Sequence, residues 1–226
     1  MNIPGLNKVA DAIGDAFSVF DFSFFISGAV TCGFLALDLH YYGHDGILQI
    51  IGWKSVAIYI IAVYVAGLMS WSCGKFFRWI ILYFIWYKSN GISGDFQNVI
   101  KTNIEICGHQ NDIVNDEELD VLYTKMWLYL NKKADIASKM ASLNKMWVMI
   151  AVYEGLIFSW IVGLMVYLDG VFIGGWIKYN CVLHIAIPIV IFLILIASSF
   201  IRAIVYSRDL IKEVVVTYYE NHKISN

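Results

Sequence analysis

Residues 116 to 169 read DEELDVLYTKMWLYLNKKADIASKMASLNKMWVMIAVYEGLIFSWIVGLMVYLD. The stretch opens on an acidic helix start (Asn115, Asp116, Glu117, Glu118), continues through Leu119, Leu122, Met126 and Leu130, and passes into the apolar run Trp147 to Leu168. No Gly or Pro interrupts it before Gly155, so it predicts one helix that begins in water and ends across a bilayer. At about 1.5 Å per residue, the part ahead of the membrane would stand roughly 45 Å tall. Such a segment would couple two compartments, and a chain built on it is a multi-pass membrane protein.

Composition agrees with that reading. Residues AVILMFWYC make up 59% of the 226 and only 15% are charged, with a mean hydropathy of +0.66, which is too apolar for an ordinary soluble domain. A net charge of -2 supplies no basic field, and no Lys/Arg cluster interleaves with aromatics, so direct nucleic-acid binding is not expected. Cys32, Cys73, Cys107 and Cys181 lie far apart without a Cys-x-x-Cys pair, which implies reduced thiols rather than a zinc or redox site. Lys8 is followed by Asp11 and Asp15 without a short apolar core, so the N-terminal segment reads as retained rather than as a cleaved signal. Within residues 1–19, Leu6, Val9, Ile13 and Phe17 recur at helical spacing, a period that continues to Phe20. They predict an amphipathic helix lying on the bilayer surface or packed on cytosolic helices.

Four segments reach the roughly 18 to 20 apolar residues that a hydrocarbon core requires: Phe22 to Leu39, a second beginning near Ile47, Met146 to Leu168, and Cys181 to Ile201. The expected class is all-α, with four transmembrane helices in two hairpins and a helical cytoplasmic extension. Its parts are a first hairpin with an interfacial extension (20–87), a cytoplasmic insert (88–145), a second hairpin (146–201) and a C-terminal helix with a tail (202–226). If the chain starts inside, only Lys54 and Lys178 fall on the far side, while Lys75, Arg78, Lys88, the basic residues from Lys101 to Lys145, Arg202, Arg208 and Lys212 stay on the near side. That asymmetry predicts cytoplasmic termini. The second hydrophobic segment is too long for one span, and a turn near Ser70 to Gly74 would put the charged middle third outside. One span from Ile50 to Cys73, continued by an interfacial helix from Phe76 to Tyr87, fits the charges better. Lys75 and Arg78 would then reach headgroups, and a second copy of the chain would cover the apolar extension.

Small residues recur every four positions on two spans: Ala62, Ala66, Ser70 and Gly74 on the second, Gly155, Ser159 and Gly163 on the third, with Ala29 and Gly33 on the first. Because lipid is as apolar as leucine, such ridges mark places where helix backbones approach closely. Glu154 sits eight residues into the third span, and burying its charge unpaired would cost roughly 2.5 kcal/mol or more. Arg202 closes the fourth span on the same side, so a Glu154–Arg202 pair is expected; Lys75 as partner, or a neutral, hydrogen-bonded carboxyl, are the alternatives. His40 and His44 stand four apart beside Asp38 and Asp45, but Tyr42 and Gly43 interrupt the helix that a metal pair would need. Pro188 should kink the fourth span near His184 by removing a backbone donor. No metalloprotease, nucleophile-elbow or phosphate-loop motif occurs, and no cofactor and no enzymatic activity are expected.

The opening Phe20-Asp21-Phe22-Ser23-Phe24-Phe25-Ile26-Ser27-Gly28, together with two membrane hairpins flanking a cytosolic helical insert, resembles the small multi-pass proteins of bacterial anti-phage cassettes. The nearest of these are the transmembrane effectors encoded beside some retron reverse transcriptases. The resemblance implies an inner-membrane effector that stays silent until infection and then damages the membrane, halting the cell as in abortive infection; it assigns no functional residue. Two further readings stand beside it: an oligomeric ion channel or pore, and a passive anchor that recruits a soluble partner through helices at 96–107 and 116–143. The partners expected are therefore the lipid bilayer, further copies of the chain and a soluble protein on the cytoplasmic face.

Overall fold

A computed structural model describes residues 19–43, 56–86, 92–109, 116–133, 136–173 and 182–223. The amphipathic helix expected over 1–19, together with Ile50, Lys54, Lys178 and Cys181, lies outside the described residues except for Val19. Among the described residues all regular structure is helical: α1 (Val19–Tyr41), α2 (Val56–Trp86), α3 (Ile92–Ile106), α4 (Asp116–Lys132), α5 (Ala137–Phe172) and α6 (Val182–Lys223). Four of these are long and apolar enough to cross a membrane, through Ser23–Tyr41, Ile58–Ile81, Ser138–Phe172 and Ile185–Asn221. The chain is an all-α membrane protein.

Local chemistry sets the helix ends. Gly108 adopts φ +79° after α3, the Gly108 N–H donates to the Glu105 carbonyl at 2.9 Å and the His109 N–H to the Ile104 carbonyl at 3.1 Å. That pair of bonds is the Schellman closure, which a residue without Cβ accepts at no steric cost. After α1, Gly43 at φ +74° stops the helix in the same left-handed conformation. α2 runs unbroken through Ser70 to Gly74, because in lipid the backbone N–H and C=O groups must be bonded within the segment and no Pro intervenes.

The single helix expected from 116 to 169 is corrected by the structure. α4 ends at Lys132 and α5 begins at Ala137, with the Lys133 N–H tightening onto the Leu130 carbonyl at 3.2 Å. A continuous rod would hold Leu119 and Leu143 about 36 Å apart. With the break, Leu119, Met126 and Leu130 of α4 and Ile136, Met140 and Leu143 at the start of α5 join one buried core. Each large apolar side chain buried gains roughly 1.5–3 kcal/mol, against about 1 kcal/mol for each helical hydrogen bond given up, so burial decides. Asn131 lies in the last turn of α4, where its side chain can compete with the backbone and favour a helix end.

The chain divides into two compact units, one of residues up to Phe77 with Ala151–Ile201, the other of Arg78–Ile150 with the residues from Arg202 onward. The second unit is built around Ile104, Leu119, Met126, Leu130, Leu143, Val214 and Val215, all fully buried. Aromatic and charged pairs border that core: His109 stacks on Tyr219 at 4.3 Å, Tyr129 meets Tyr218 edge-on, and Lys139 pairs with Glu220 at 2.6 Å. Arg78 donates to Ser207 Oγ at 2.9 Å, a protein partner where a lipid headgroup was expected. In the first unit Ile58, Ile61, Met69, Ile187, Leu193 and Ile194 are exposed, and Ser23, Ser27, Ser70, Glu154 and Ser159 are buried beside Phe24, Val63 and Ile157.

Candidate functional site in the membrane-spanning unit

Glycines bring three helices of this unit into backbone contact. A Cβ at Gly28 of α1 would lie 1.9 Å from the Val63 carbonyl oxygen of α2, and one at Gly67 would lie 1.9 Å from the Phe24 carbonyl oxygen. At Gly74 of α2 it would lie 1.6 Å from the Glu154 carbonyl oxygen, and at Gly155 of α5 it would meet the Ser27 side chain at 2.6 Å. Such approach is how helices associate where solvent offers no hydrophobic driving force. Gly163 packs on the rings of Phe34 and Phe192.

A hydrogen-bonded hydroxyl cluster fills the seam these contacts create. Thr31 Oγ1 donates to Ser159 Oγ at 2.9 Å and lies 2.9 Å from Ser70 Oγ. Ser70 Oγ donates to the Ala66 carbonyl at 2.7 Å, and Ser159 Oγ reaches the carbonyls of Ser27 at 3.0 Å and Gly155 at 2.9 Å. The contacts between α1 and α5 climb both helices in the same order: Ser27 with Gly155, Thr31 with Ser159, Phe34 with Trp160. Beyond them the Tyr42 hydroxyl donates to Asp169 Oδ2. That bond, then desolvation and the charges of Asp169 and Asp38, push the Tyr42 phenol up to about 12.

Glu154 is 2% exposed and accepts a hydrogen bond from Trp71 Nε1 at 2.8 Å. The Lys75 ammonium lies 5.4 Å from the Trp71 ring centroid, a cation–π approach. The carboxylate thus has an indole partner; Arg202, the partner expected from sequence, is exposed and belongs to the second unit. The small-residue ridge on α2 also sits differently from its sequence reading. Ser70 and Gly74 are buried, but Ala66 is half-buried and Ala62 exposed, and the contact face runs Val63, Gly67, Ser70, Gly74. A strict four-residue step drifts about 40° per repeat around a helix of 3.6 residues per turn, whereas alternating four and three holds one face. On α5, Gly155, Ser159 and Gly163 are all buried as the ridge required, while Ala29 and Gly33 on α1 are exposed.

Gly28, Gly67 and Trp71 were not singled out by sequence reasoning. Gly67 carried a signal in its spacing to Ser70 and Gly74, and Gly28 one in its place within the opening motif. Trp71 carried none, since its partner lies 83 residues away. Cys32, Cys73 and Cys107 are half-buried, and no His/Cys/Asp/Glu cluster suited to a metal occurs among the described residues. His40 is exposed and His44 lies outside those residues. The chain matches no family model, no curated protein and no solved structure.

Proposed function

We propose that this chain is a non-enzymatic, membrane-embedded effector of an antiviral defence system. In this reading it sits in the bacterial inner membrane as two hairpins with both termini in the cytoplasm. When its cytoplasmic helices receive a signal, it dissipates the gradient across that membrane. The observation that carries the reading is the buried seam of Ser27, Thr31, Ser70 and Ser159 with Glu154 beside it. An inert anchor gains little from burying a carboxylate within a span, and intramembrane ionisable groups mark ion paths and switches. The excess of Lys and Arg on one side of the spans supports the orientation. The exposed apolar face of α6, the least buried of the four spans, supports contact with lipid and with further copies of the chain.

The passive-anchor reading keeps one observation in its favour. Ile106, Val121 and Leu128 are exposed on α3 and α4, a surface suited to a soluble partner. Membrane potential separates the two readings. In cells that express the chain with its flanking genes, the potential should hold before phage infection and collapse after it. A potential that is the same with and without the chain, before and after infection, overturns the effector reading and leaves the anchor.

A further inference from the structure

We infer that α2 carries a second interface on its outer face, and that its occupant is the same face of a second copy of this chain. The contact goes beyond the effector reading and does not depend on it. The inner face of α2 sets the pattern. Val63, Gly67, Ser70 and Gly74 are buried and meet α1 and α5. They step along the helix by four, three and four residues, the alternation that keeps one side of a helix turned to one neighbour. Two residues further on at each step, Val65, Met69, Ser72 and Phe76 repeat the pattern, and all four are exposed. An offset of two residues turns about 200° around a helix, so this outer row lies opposite the inner one.

Ile58 and Ala62 extend the outer row towards the start of α2 with the same alternation, and both are exposed. From Ile58 to Phe76 the row spans roughly 27 Å, close to the hydrocarbon thickness of about 30 Å. Ala62, uncovered by the chain's own fold, thus belongs to a contact face after all. Lipid covers Ile58, Val65, Met69 and Phe76 as well as protein does, so their exposure alone points to nothing. Ala62 and Ser72 are different, because small residues let two backbones approach closely.

Ser72 decides the occupant. Its side chain is exposed within the span Ile58–Ile81, and among the described residues none forms a hydrogen bond with it. Water would satisfy that hydroxyl; hydrocarbon cannot. Copies of one chain cross the bilayer in the same sense, so two outer faces meet in parallel and each residue of the row faces its own counterpart. A hydroxyl both donates and accepts, which makes Ser72 complementary to itself across such a contact. One copy donates to the other, and the second turns its own proton to a backbone carbonyl of its helix, as Ser70 does to Ala66 at 2.7 Å. Lys75 is exposed at the flank of the row, where the ammonium groups of two parallel copies fall on opposite sides of the contact. Charge therefore does not oppose the pairing.

Oxidative cross-linking of the full chain in native membranes tests the contact. With the native cysteines changed to Ser, single cysteines are placed at Val65, Met69, Ser72 and Phe76, at the flanking positions Leu68 and Cys73, and at Leu193 and Ile194 of α6. Covalent dimer should form most at the four outer-row positions and least at Leu68 and Cys73. Ser72→Ala should weaken self-association of the detergent-solubilised chain by about threefold, the effect of one interhelical hydrogen bond, and Ser72→Thr should keep most of it. Cross-linking that ignores the four-and-three period, that is strongest on α6, or that is absent at every position overturns the proposal. Equal self-association of Ser72→Ala and the wild type overturns it too. All of these measurements are made without phage, so their failure leaves the effector reading standing, and a failure of that reading leaves the contact standing.

Discussion

The two units of this protein differ in what closes their interiors and in how much apolar surface they leave outside. The second has an interior dominated by Ile, Leu, Met and Val, as in a water-soluble helical bundle, with Asn103, Ser207 and Thr217 buried among them. The first exposes many large apolar side chains on α2 and α6 and buries, beside Phe24, Val63 and Ile157, a set of glycines, hydroxyls and one acidic side chain. The difference teaches that a core is defined by its solvent. In water, hiding apolar area supplies most of the stability; in lipid that gain vanishes, and close packing with satisfied hydrogen bonds takes its place. The same residue type should therefore matter differently in the two places.

The largest effect expected is at Leu130, fully buried in the second unit. Leu130→Ala should destabilise that unit by about 2–5 kcal/mol, the cost of lost burial plus a cavity. Leu193→Ala on the exposed face of α6 should stay within about 0.5 kcal/mol. Hydrogen exchange of the detergent-solubilised protein reads both, and equal losses at the two sites would erase the contrast.

Next comes the glycine seam. Gly74→Ala places its Cβ against the carbonyl oxygen of Glu154, which as backbone cannot yield cheaply, and should cost about 1–3 kcal/mol or more. Gly33→Ala meets nothing within 4 Å and should be neutral or stabilising, since alanine is the better helix former. The unfolding midpoint on titration with denaturing detergent is the measurement, and matching midpoints for the two variants would mean that the seam is not tightly closed.

The smallest effect is a pH dependence confined to the second unit. Burial pushes the Tyr123 phenol from its ordinary 10.0 up to about 12. The folded state therefore holds its proton more tightly than the unfolded chain does, and this stabilisation is present in full below pH 10. It is lost as pH rises from 10 towards 12. Tyr123→Phe should flatten that part of the stability curve, and an unchanged slope would place the alkaline loss elsewhere.

How much of this was legible in advance follows from how far apart the deciding residues lie. α1, α2 and the membrane part of α5 were readable because apolar length is a property of consecutive residues. The ridge of Gly155, Ser159 and Gly163 was readable for the same reason. The ridge on α2 was read one residue off at Ala62 and Ala66, because only the neighbour's position says which face is in contact. The break between α4 and α5 was missed: Asn131 is a weak local signal, and the gain that outweighs helix propagation comes from Val214 and Val215, far along the chain.

The sequence by itself determined an all-helical membrane protein with four spanning helices and a buried acid in the third, since hydropathy and helix rise act over a single segment. Only the tertiary structure decided that Glu154 accepts from Trp71, that Thr31 bridges Ser70 and Ser159, and that α4 ends at Lys132. Those outcomes depend on the register between helices, and register is set by the packing of side chains that sequence distance keeps apart.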